Sequence, residues 1–253
     1  MAAAAFFDLD RTLLRRSSAL ALAGSFRDRG LISRTQLLKA AGWQLLFVAR
    51  GAGHEAVRRA AEDGLRILDG YTPEELRDLV ADALEPVLRP LVYAEPLQLV
   101  EQHRSRGDRV YIVSATLQEI VQTIADDLGF DGALGTVCEV RDGRYTGRAV
   151  RALHAAAKAE CIGEVAAREG FELEDCTAYS DSHTDLPFLE AVGRPVAVNP
   201  DRELRRIAAD RGWPVLEFSD RAYPHARRRL APALLALPLA VGAIVALGRK
   251  RGR

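Results

Sequence analysis

The sequence predicts an α/β protein in which a mostly parallel sheet carries helices on both faces, with a small helical domain inserted after the first strand. Two observations predict this class. After residue 90, short apolar runs alternate with stretches of helical spacing, which is typical of parallel sheets with connecting helices. Between residues 17 and 85, apolar residues recur at helical spacing. This helical stretch interrupts an otherwise alternating strand–helix chain.

The first strand and the helical insertion are each marked by short signals. Residues 2–9 (AAAAFFDL) form a brief apolar run that opens into polar residues, which indicates a buried strand. Inside the insertion, Thr72 stands at a helix cap, Pro73 at the first position and Glu75 three residues after the cap. The predicted domains are a core, residues 1–15 and 89–222, and a helical cap, residues 16–88.

Apolar runs and the turn residues between them define the remaining elements. Asp142-Gly143 separates two strand-like segments and is a strong β-hairpin signal. In parallel sheets, ligands bind just beyond the carboxyl ends of the strands, so the residues that follow each strand are the candidates for chemistry. The predicted elements are helices over 97–106, 117–128 and 154–168, and strands over 109–113, 135–141, 144–147, 176–179, 195–198 and 213–218.

Length, charge and cysteine content narrow the functional classes. The 253 residues suffice for one sizeable α/β domain, or for a core with a smaller second domain. The formal net charge of +0 gives no overall attraction to nucleic acid, and no nucleic-acid partner is expected. The 3 cysteines form no CxxC pair, which argues against a disulfide framework or zinc cluster and for reduced cytoplasmic thiols. Residues 1–7 lack a basic leader, so no signal peptide is expected.

The first chemical signal is the segment Asp8-Leu9-Asp10-Arg11-Thr12, where the first predicted strand ends. Two carboxylates two residues apart at such a point can converge on one small space. One can act as nucleophile and magnesium ligand, and the other as general acid and base. Mg²⁺ suits such a site because it takes hard oxygen ligands and neutralises phosphate charge. The alternative is an acidic turn without a function.

Two further residues can bind a phosphate group. Ser114 directly follows strand 109–113, where its hydroxyl and the next backbone N–H groups can hold a phosphate oxygen near a helix N-terminus. Equally, Ser114 or Thr116 can cap helix 117–128. Lys158 lies in the helix predicted over 154–168 and can balance the charge of phosphate and carboxylates, or it can be a solvated surface lysine.

A second carboxylate pair, Asp181 and Asp185, follows strand 176–179. These side chains can supply further oxygen ligands for Mg²⁺, or one of them can cap the following segment. His183 lies between them. We interpret it as an exposed loop residue rather than a zinc ligand, because no second histidine stands at ligand spacing.

In this order along the chain, the four elements resemble the motifs of the haloacid dehalogenase superfamily of phosphohydrolases, and more narrowly its phosphoserine phosphatase-like branch, subfamily IB. The resemblance spans roughly residues 2–220 and implies a Rossmann-like core with a small helical cap. It also implies that Asp8 is the nucleophile and a magnesium ligand, and that Asp10 is the general acid and base, with its backbone carbonyl on the metal. Thr12 would orient the loop and, together with Ser114 and Lys158, bind the substrate phosphate. Asp181 would bind magnesium, and Asp185 would support the site.

One position departs from that branch. Phosphoserine phosphatases resemble one another in placing a glutamate nine residues after the nucleophile, where it meets the substrate's ammonium group, but here Ser17 stands at that position. A buried ammonium without a counter-charge is costly, so L-phosphoserine is not the expected substrate. Arg15 and Arg16 suggest a substrate with additional negative charge, unless both are solvated cap residues.

The C-terminal residues 223–253 differ from the rest of the chain. Residues 230–247 (LAPALLALPLAVGAIVAL) are uncharged and close to the minimum length for a membrane span, and basic residues flank them on both sides. We therefore expect a transmembrane helix that anchors a cytoplasmic catalytic domain and makes contact with the membrane. The alternatives are an amphipathic or disordered tail, or a helix docked on the core.

These observations together predict a magnesium-dependent phosphatase. Its substrate would be a small-molecule phosphate monoester or a lipid head-group phosphate, hydrolysed through an aspartyl-phosphate intermediate. Two alternatives remain open. One is a phosphotransferase that passes the same aspartyl phosphate to an alcohol, and the other is a non-catalytic module that binds a phosphorylated ligand.

Overall fold

The fold is described from a computed structural model that covers residues 3–30 and 65–223. Within these residues, seven strands form one sheet in the order β4-β3-β2-β1-β5-β6-β7. All neighbouring strands are parallel except β3 and β4, which form an antiparallel hairpin. The predicted fold class is confirmed. The strands are β1 (Ala4–Phe7), β2 (Arg109–Leu117), β3 (Gly132–Arg141), β4 (Arg144–Arg151), β5 (Thr177–Ser180), β6 (Arg194–Val198) and β7 (Val215–Leu216).

Helices connect the parallel strands and extend into the predicted cap. A 3₁₀ turn (Arg66–Leu68) precedes the second helix, and a π turn (Leu84–Leu88) follows it. The α-helices of the described residues are α1 (Ser18–Asp28), α2 (Pro73–Ala83), α3 (Ala94–Ser105), α4 (Gln118–Leu128), α5 (Ala156–Glu169), α6 (Leu186–Glu190) and α7 (Arg202–Arg211).

The sheet is apolar on both faces because its central strands are covered on both sides. In β1, Phe7 packs into a cluster with residues of α3 and α4, whereas Phe6 packs into a separate cluster with residues of α5, α6 and α7. Both phenylalanines are fully buried. Successive side chains of a strand point to opposite faces, so the run AAFF fills both halves of the core at once.

Local signals in the sequence placed several boundaries correctly. Thr72 and Glu75 form the predicted capping box at the start of α2. Asp142 and Gly143 both have positive φ, as a two-residue type I′ hairpin turn requires, and they join β3 to β4. The strand predicted over 109–113 is longer than expected, because β2 continues to Leu117 after a register irregularity. The last predicted strand is shorter, since β7 has only two residues.

The predicted helical cap is described only in part. Helices α1 and α2 both fall within residues 16–88, and they contact each other. Residues 31–64 of the predicted bundle lie outside the described part of the chain. The cap boundaries therefore stay a prediction. The three cysteines, in contrast, are free and buried, as predicted.

The prediction of a transmembrane anchor was wrong, because the helices of the described residues do not support it. In residues 3–30 and 65–223, no helix is long and apolar enough to cross a membrane. The longest described helix, α5, has 14 residues. That length corresponds to about 21 Å, against the roughly 30 Å of a bilayer's hydrocarbon core. Residues 230–247, on which the prediction rested, lie outside the described residues. The transmembrane assignment and the membrane-anchored location are both withdrawn.

Candidate active site

Two neighbouring parallel strands bring the two acidic segments to one edge of the sheet. β1 pairs with β5, and the backbone N–H of Asp8 extends this pairing by donating to the carbonyl of Tyr179 at 2.9 Å. Asp181 directly follows the last residue of β5. Because parallel strands end at the same edge, segments far apart in sequence meet there. Asp8 and Asp181 are both buried.

Lys158 joins the two segments. Its ammonium donates to Asp8 Oδ1 at 2.6 Å and to Asp185 Oδ2 at 2.7 Å. Ser180 Oγ also donates to Asp185 Oδ2, at 2.7 Å. All four side chains are buried, and Lys158 is only 3% exposed. The reading of Lys158 as a solvated surface lysine is thereby excluded.

Asp181 has a different cation partner. Arg11 Nε lies 3.2 Å from Asp181 Oδ2, but the Arg11 side chain is 59% exposed, so water screens this pair. Arg11 also has a positive φ of 65°, which is uncommon for a residue other than glycine. The turn after β1 therefore places Asp8 and Arg11 beside different members of the second acidic segment.

Asp10 is held from the start of the predicted cap. Its Oδ1 accepts a hydrogen bond from the backbone N–H of Ser18 at 2.7 Å. The Ser18 hydroxyl in turn lies 3.0 Å from Thr116 Oγ1. The first turn of α1 thus links the loop after β1 to the irregular part of β2, which fixes the position of the Asp10 carboxylate.

The two predicted phosphate-binding hydroxyls are both buried. Ser114 Oγ accepts from the backbone N–H of Thr116 at 3.1 Å, which leaves its own O–H free to donate. Ser114 therefore lies within β2 and does not cap α4, which starts at Gln118 without a side-chain cap. Thr12 Oγ1 has no hydrogen-bond partner in the described part of the protein. A buried hydroxyl without a partner is costly.

The electrostatics of the site reflect burial of more carboxylates than cations. Burial raises the pKa of the Asp8 carboxyl, and Asp185 and Asp181 add to the rise, although Lys158 opposes it. Burial likewise raises the pKa of Asp181 to about 7, opposed chiefly by Arg11. Burial raises the pKa of Asp10, opposed by its hydrogen bonds from Ser18. Although burial disfavours the charged ammonium, Asp8 and Asp185 outweigh it and raise the pKa of Lys158.

This surplus of negative charge fits a bound cation. Asp8 and Asp181 offer buried carboxylate oxygens, and burial raises the pKa of each, a rise that Lys158 and Arg11 only partly offset. Hard oxygen donors are the ligands that Mg²⁺ prefers. Among the described residues, no group of three or more histidine, cysteine, aspartate or glutamate side chains is arranged to hold a metal ion. A cation here would need the backbone carbonyl of Asp10, substrate or water to complete its ligands.

Sequence reasoning missed several residues that shape the site. Ser180, which anchors Asp185, ends the strand directly before Asp181, and its position was the only signal. Thr136 is buried in β3 and connects β2 to the segment before α5, because its hydroxyl donates to the carbonyl of Ala115 and accepts from the N–H of Leu153. Nothing in the local sequence around Thr136 marks it, since both partners are distant along the chain. His183 is exposed, as expected, and is bonded to Asp201.

A cavity of about 500 Å³ lies away from this site. Thr177, Arg194 and Pro214 line it, and these residues stand at or before the starts of β5, β6 and β7. The cavity is therefore at the amino ends of the strands, and none of the predicted site residues lines it. Its position gives it no part in chemistry at the opposite edge.

Comparison with known families identifies the origin of this arrangement. The sequence model of the haloacid dehalogenase-like hydrolase family matches residues 5–190, which include all the acidic residues of the site. The chain belongs to this family. A probable phosphatase of Mycobacterium tuberculosis is 43% identical over 244 residues, covering 96% of this chain and 84% of the relative. A phosphoserine phosphatase of the same species is 38% identical over 256 residues, covering 99% and 82%.

A solved structure with a similar sequence supports the fold. A Bordetella pertussis protein of unknown function is 32% identical, with a TM-score of 0.76, and the match covers 85% of this chain and 98% of that one. Family membership and relatives named phosphatases confirm the predicted enzyme class, a phosphoric monoester hydrolase of the haloacid dehalogenase type. The roles of the individual residues in this hydrolase follow as proposals.

Proposed function

We propose that this hydrolase is a magnesium-dependent phosphatase that cleaves a small phosphate monoester through an aspartyl phosphate on Asp8. The observation that carries the proposal is the buried ammonium of Lys158, held between Asp8 and Asp185 at 2.6 and 2.7 Å. A buried cation between carboxylates from two strand ends creates a place where a phosphoryl group's charge can be balanced. Asp8 would be the nucleophile, because its carboxylate contacts this cation while Asp185, the other carboxylate on it, is also held by the Ser180 hydroxyl.

In the first step, an oxygen of Asp8 attacks phosphorus, and the bond between phosphorus and the ester oxygen breaks. The leaving alkoxide takes a proton from Asp10. Asp10 suits this role because burial raises its pKa, so the carboxyl holds a proton closer to neutral pH than an exposed aspartate does. Its hydrogen bond from Ser18 leaves the other carboxyl oxygen to face the substrate.

In the second step, the same Asp10, now ionised, takes a proton from water as the water oxygen attacks phosphorus. The bond between phosphorus and Asp8 breaks, which releases inorganic phosphate and restores the carboxylate. Asp10 thus acts once as an acid and once as a base, and its fixed position beside Ser18 serves both steps.

Magnesium and the hydroxyl groups would hold the phosphoryl oxygens. Asp8, Asp181 and the carbonyl of Asp10 would bind Mg²⁺, which neutralises phosphate charge when bound. The free O–H of Ser114 and the unpartnered hydroxyl of Thr12 are donors suited to phosphate oxygens.

The substrate proposed is a small phosphate monoester other than L-phosphoserine. Ser17 stands where a carboxylate would be needed for the substrate's ammonium, and its hydroxyl caps α1 by accepting from the N–H of Leu20. A relative named phosphoserine phosphatase leaves this point to experiment. A lipid head-group substrate was favoured only by the membrane anchor and loses that support. Assays of L-phosphoserine against a panel of sugar, aromatic and lipid phosphates decide the class.

The mechanism is tested by replacing the proposed nucleophile. With p-nitrophenyl phosphate and Mg²⁺, we expect Asp8→Asn to lower kcat by roughly a thousandfold or more. A ³²P-labelled substrate, quenched in acid, should leave label on the wild-type protein and none on the variant. Asp210→Asn, which changes an exposed carboxylate in a surface ion pair, is the matched control and should retain full activity. Equal turnover by wild type and Asp8→Asn would reject the proposal.

A further inference from the structure

We propose that Asp201 is a positioning residue that holds the loop carrying Asp181 in place for metal binding, an inference that rests on the proposed function. Asp201 follows β6 and stands at the N-cap of α7. It belongs to neither acidic segment of the site. The residue matters because of how its atoms are shared between α7 and the loop after β5.

One side of Asp201 is fixed to its own helix. Its Oδ1 accepts a hydrogen bond from the backbone N–H of Leu204 at 2.8 Å, which is an N-cap bond. Leu204 is fully buried in the core cluster on the α5 side of the sheet. The carboxylate is thereby oriented by a helix that is itself packed on the sheet.

The other side of Asp201 is bound to the loop. Its Oδ2 accepts from the backbone N–H of His183 at 2.9 Å, from His183 Nδ1 at 2.9 Å, and from Ser182 Oγ at 3.2 Å. In addition, the backbone N–H of Asp201 donates to the carbonyl of Asp181 at 2.8 Å. Four hydrogen bonds from one residue therefore reach three successive positions of the loop.

This anchoring has a consequence for the Asp181 side chain. Asp181 is 5% exposed, and its carboxylate faces the exposed side chain of Arg11 rather than a buried cation. A loop that is free to shift would let this carboxylate turn outward with Arg11 toward water. Asp201 opposes that shift by fixing the backbone on both sides of Ser182, so Asp181 stays directed at the site. Residues that orient a metal ligand in this way change metal affinity without touching the metal.

The two oxygens of Asp201 have separate partners, which allows a selective variant. Asp201→Ser keeps an N-cap hydroxyl for Leu204 but removes the oxygen that binds His183 and Ser182. Thr72→Ala is the matched control, because it removes an N-cap from α2 and leaves the Asp181 loop intact. Three quantities are measured for wild type and both variants: Mg²⁺ affinity by titration calorimetry, the melting temperature, and kcat and KM for p-nitrophenyl phosphate.

We expect Asp201→Ser to weaken Mg²⁺ binding about tenfold, with a lower kcat at limiting Mg²⁺ and a melting temperature no lower than that of Thr72→Ala. Thr72→Ala should lower the melting temperature and keep the wild-type Mg²⁺ affinity. Mg²⁺ affinity within twofold of wild type in Asp201→Ser, an equal loss in both variants, or no Mg²⁺ binding by the wild type would overturn the positioning role. A wild type that binds Mg²⁺ without hydrolysing any phosphate ester would instead reject the proposed function.

Discussion

Replacing Lys158 by methionine tests whether the buried ammonium holds the site together. Lys158 makes contacts of 2.6 and 2.7 Å to Asp8 and Asp185, and the three side chains are each less than 10% exposed. Methionine keeps the length and the apolar stem but leaves both carboxylates without their shared partner. Removing one member of a buried ion pair costs about 3–5 kcal/mol. We expect a loss of unfolding free energy in that range at pH 9.5 in the absence of divalent cations.

The loss should depend on pH in a defined direction. Without Lys158, the pKa of Asp8, already raised by burial from its usual 3.8, rises further. In both folded proteins Asp8 holds its proton between pH 3.8 and the wild-type pKa of about 8, so over that range both stabilities fall together as pH rises. Above about pH 8 the wild-type carboxyl ionises beside Lys158 while that of the variant stays protonated, so the loss grows by about 1.4 kcal/mol per pH unit, roughly 2 kcal/mol by pH 9.5. The loss should therefore be larger at pH 9.5 than at pH 5.5.

Urea unfolding of wild type and Lys158→Met at both pH values, in EDTA, measures this difference. Arg151→Met is the control, because Arg151 forms a surface ion pair with Glu164, and the expected loss is at most about 1 kcal/mol at either pH. A loss below about 1 kcal/mol for Lys158→Met at pH 9.5, or an equal loss at both pH values, would refute the reasoning.

Two further predictions concern the fold. A Cβ on Gly193 would lie 1.9 Å from the carbonyl oxygen of Glu174, so Gly193→Ala should lower the unfolding free energy by about 3 kcal/mol. Gly163 lies in α5 with open space around it, so Gly163→Ala should raise the unfolding free energy by up to about 1 kcal/mol. Urea unfolding of both variants checks this, and equal effects would contradict it. Burial lowers the pKa of His103 despite its bond to Asp108. As pH drops below about 6.5, the unfolded chain binds a proton at this residue before the folded protein does, so the unfolding free energy should fall. This fall, measured between pH 7.5 and 5.5, should be smaller in His103→Gln, and an unchanged slope would argue against it.

Much of the sheet could be predicted because its signals are local. The run AAFF identifies a strand buried on both faces, and Asp142-Gly143 specifies the turn between β3 and β4 through two positive φ angles. The positions of Asp8 and Asp181 at strand ends follow from the same alternation. The end of β2 could not be placed, because the irregularity between Val113 and Leu117 depends on pairing with β3 and not on the residues themselves.

The contacts inside the site lay beyond sequence reasoning for a related reason. Lys158 is 150 residues from Asp8, and its burial depends on the packing of α5 against the strand ends. A lysine in a helix has the same local appearance whether it faces water or two carboxylates. The transmembrane prediction likewise rested only on the length and hydropathy of residues 230–247. The local pattern around Lys158 does not contain the tertiary partners that decide whether this side chain is buried.

The position of Asp10 connects the cap to the chemistry. The chain leaves the core and returns to it along paired backbone, since Tyr93 N–H donates to Leu13 O at 3.0 Å and Arg15 N–H donates to Leu91 O at 2.8 Å. Ser18, three residues beyond this ribbon, bonds to Asp10. The first turn of the predicted cap is thus part of the setting that holds the proposed acid and base. A movement of the cap that displaced Ser18 would release the Asp10 carboxylate.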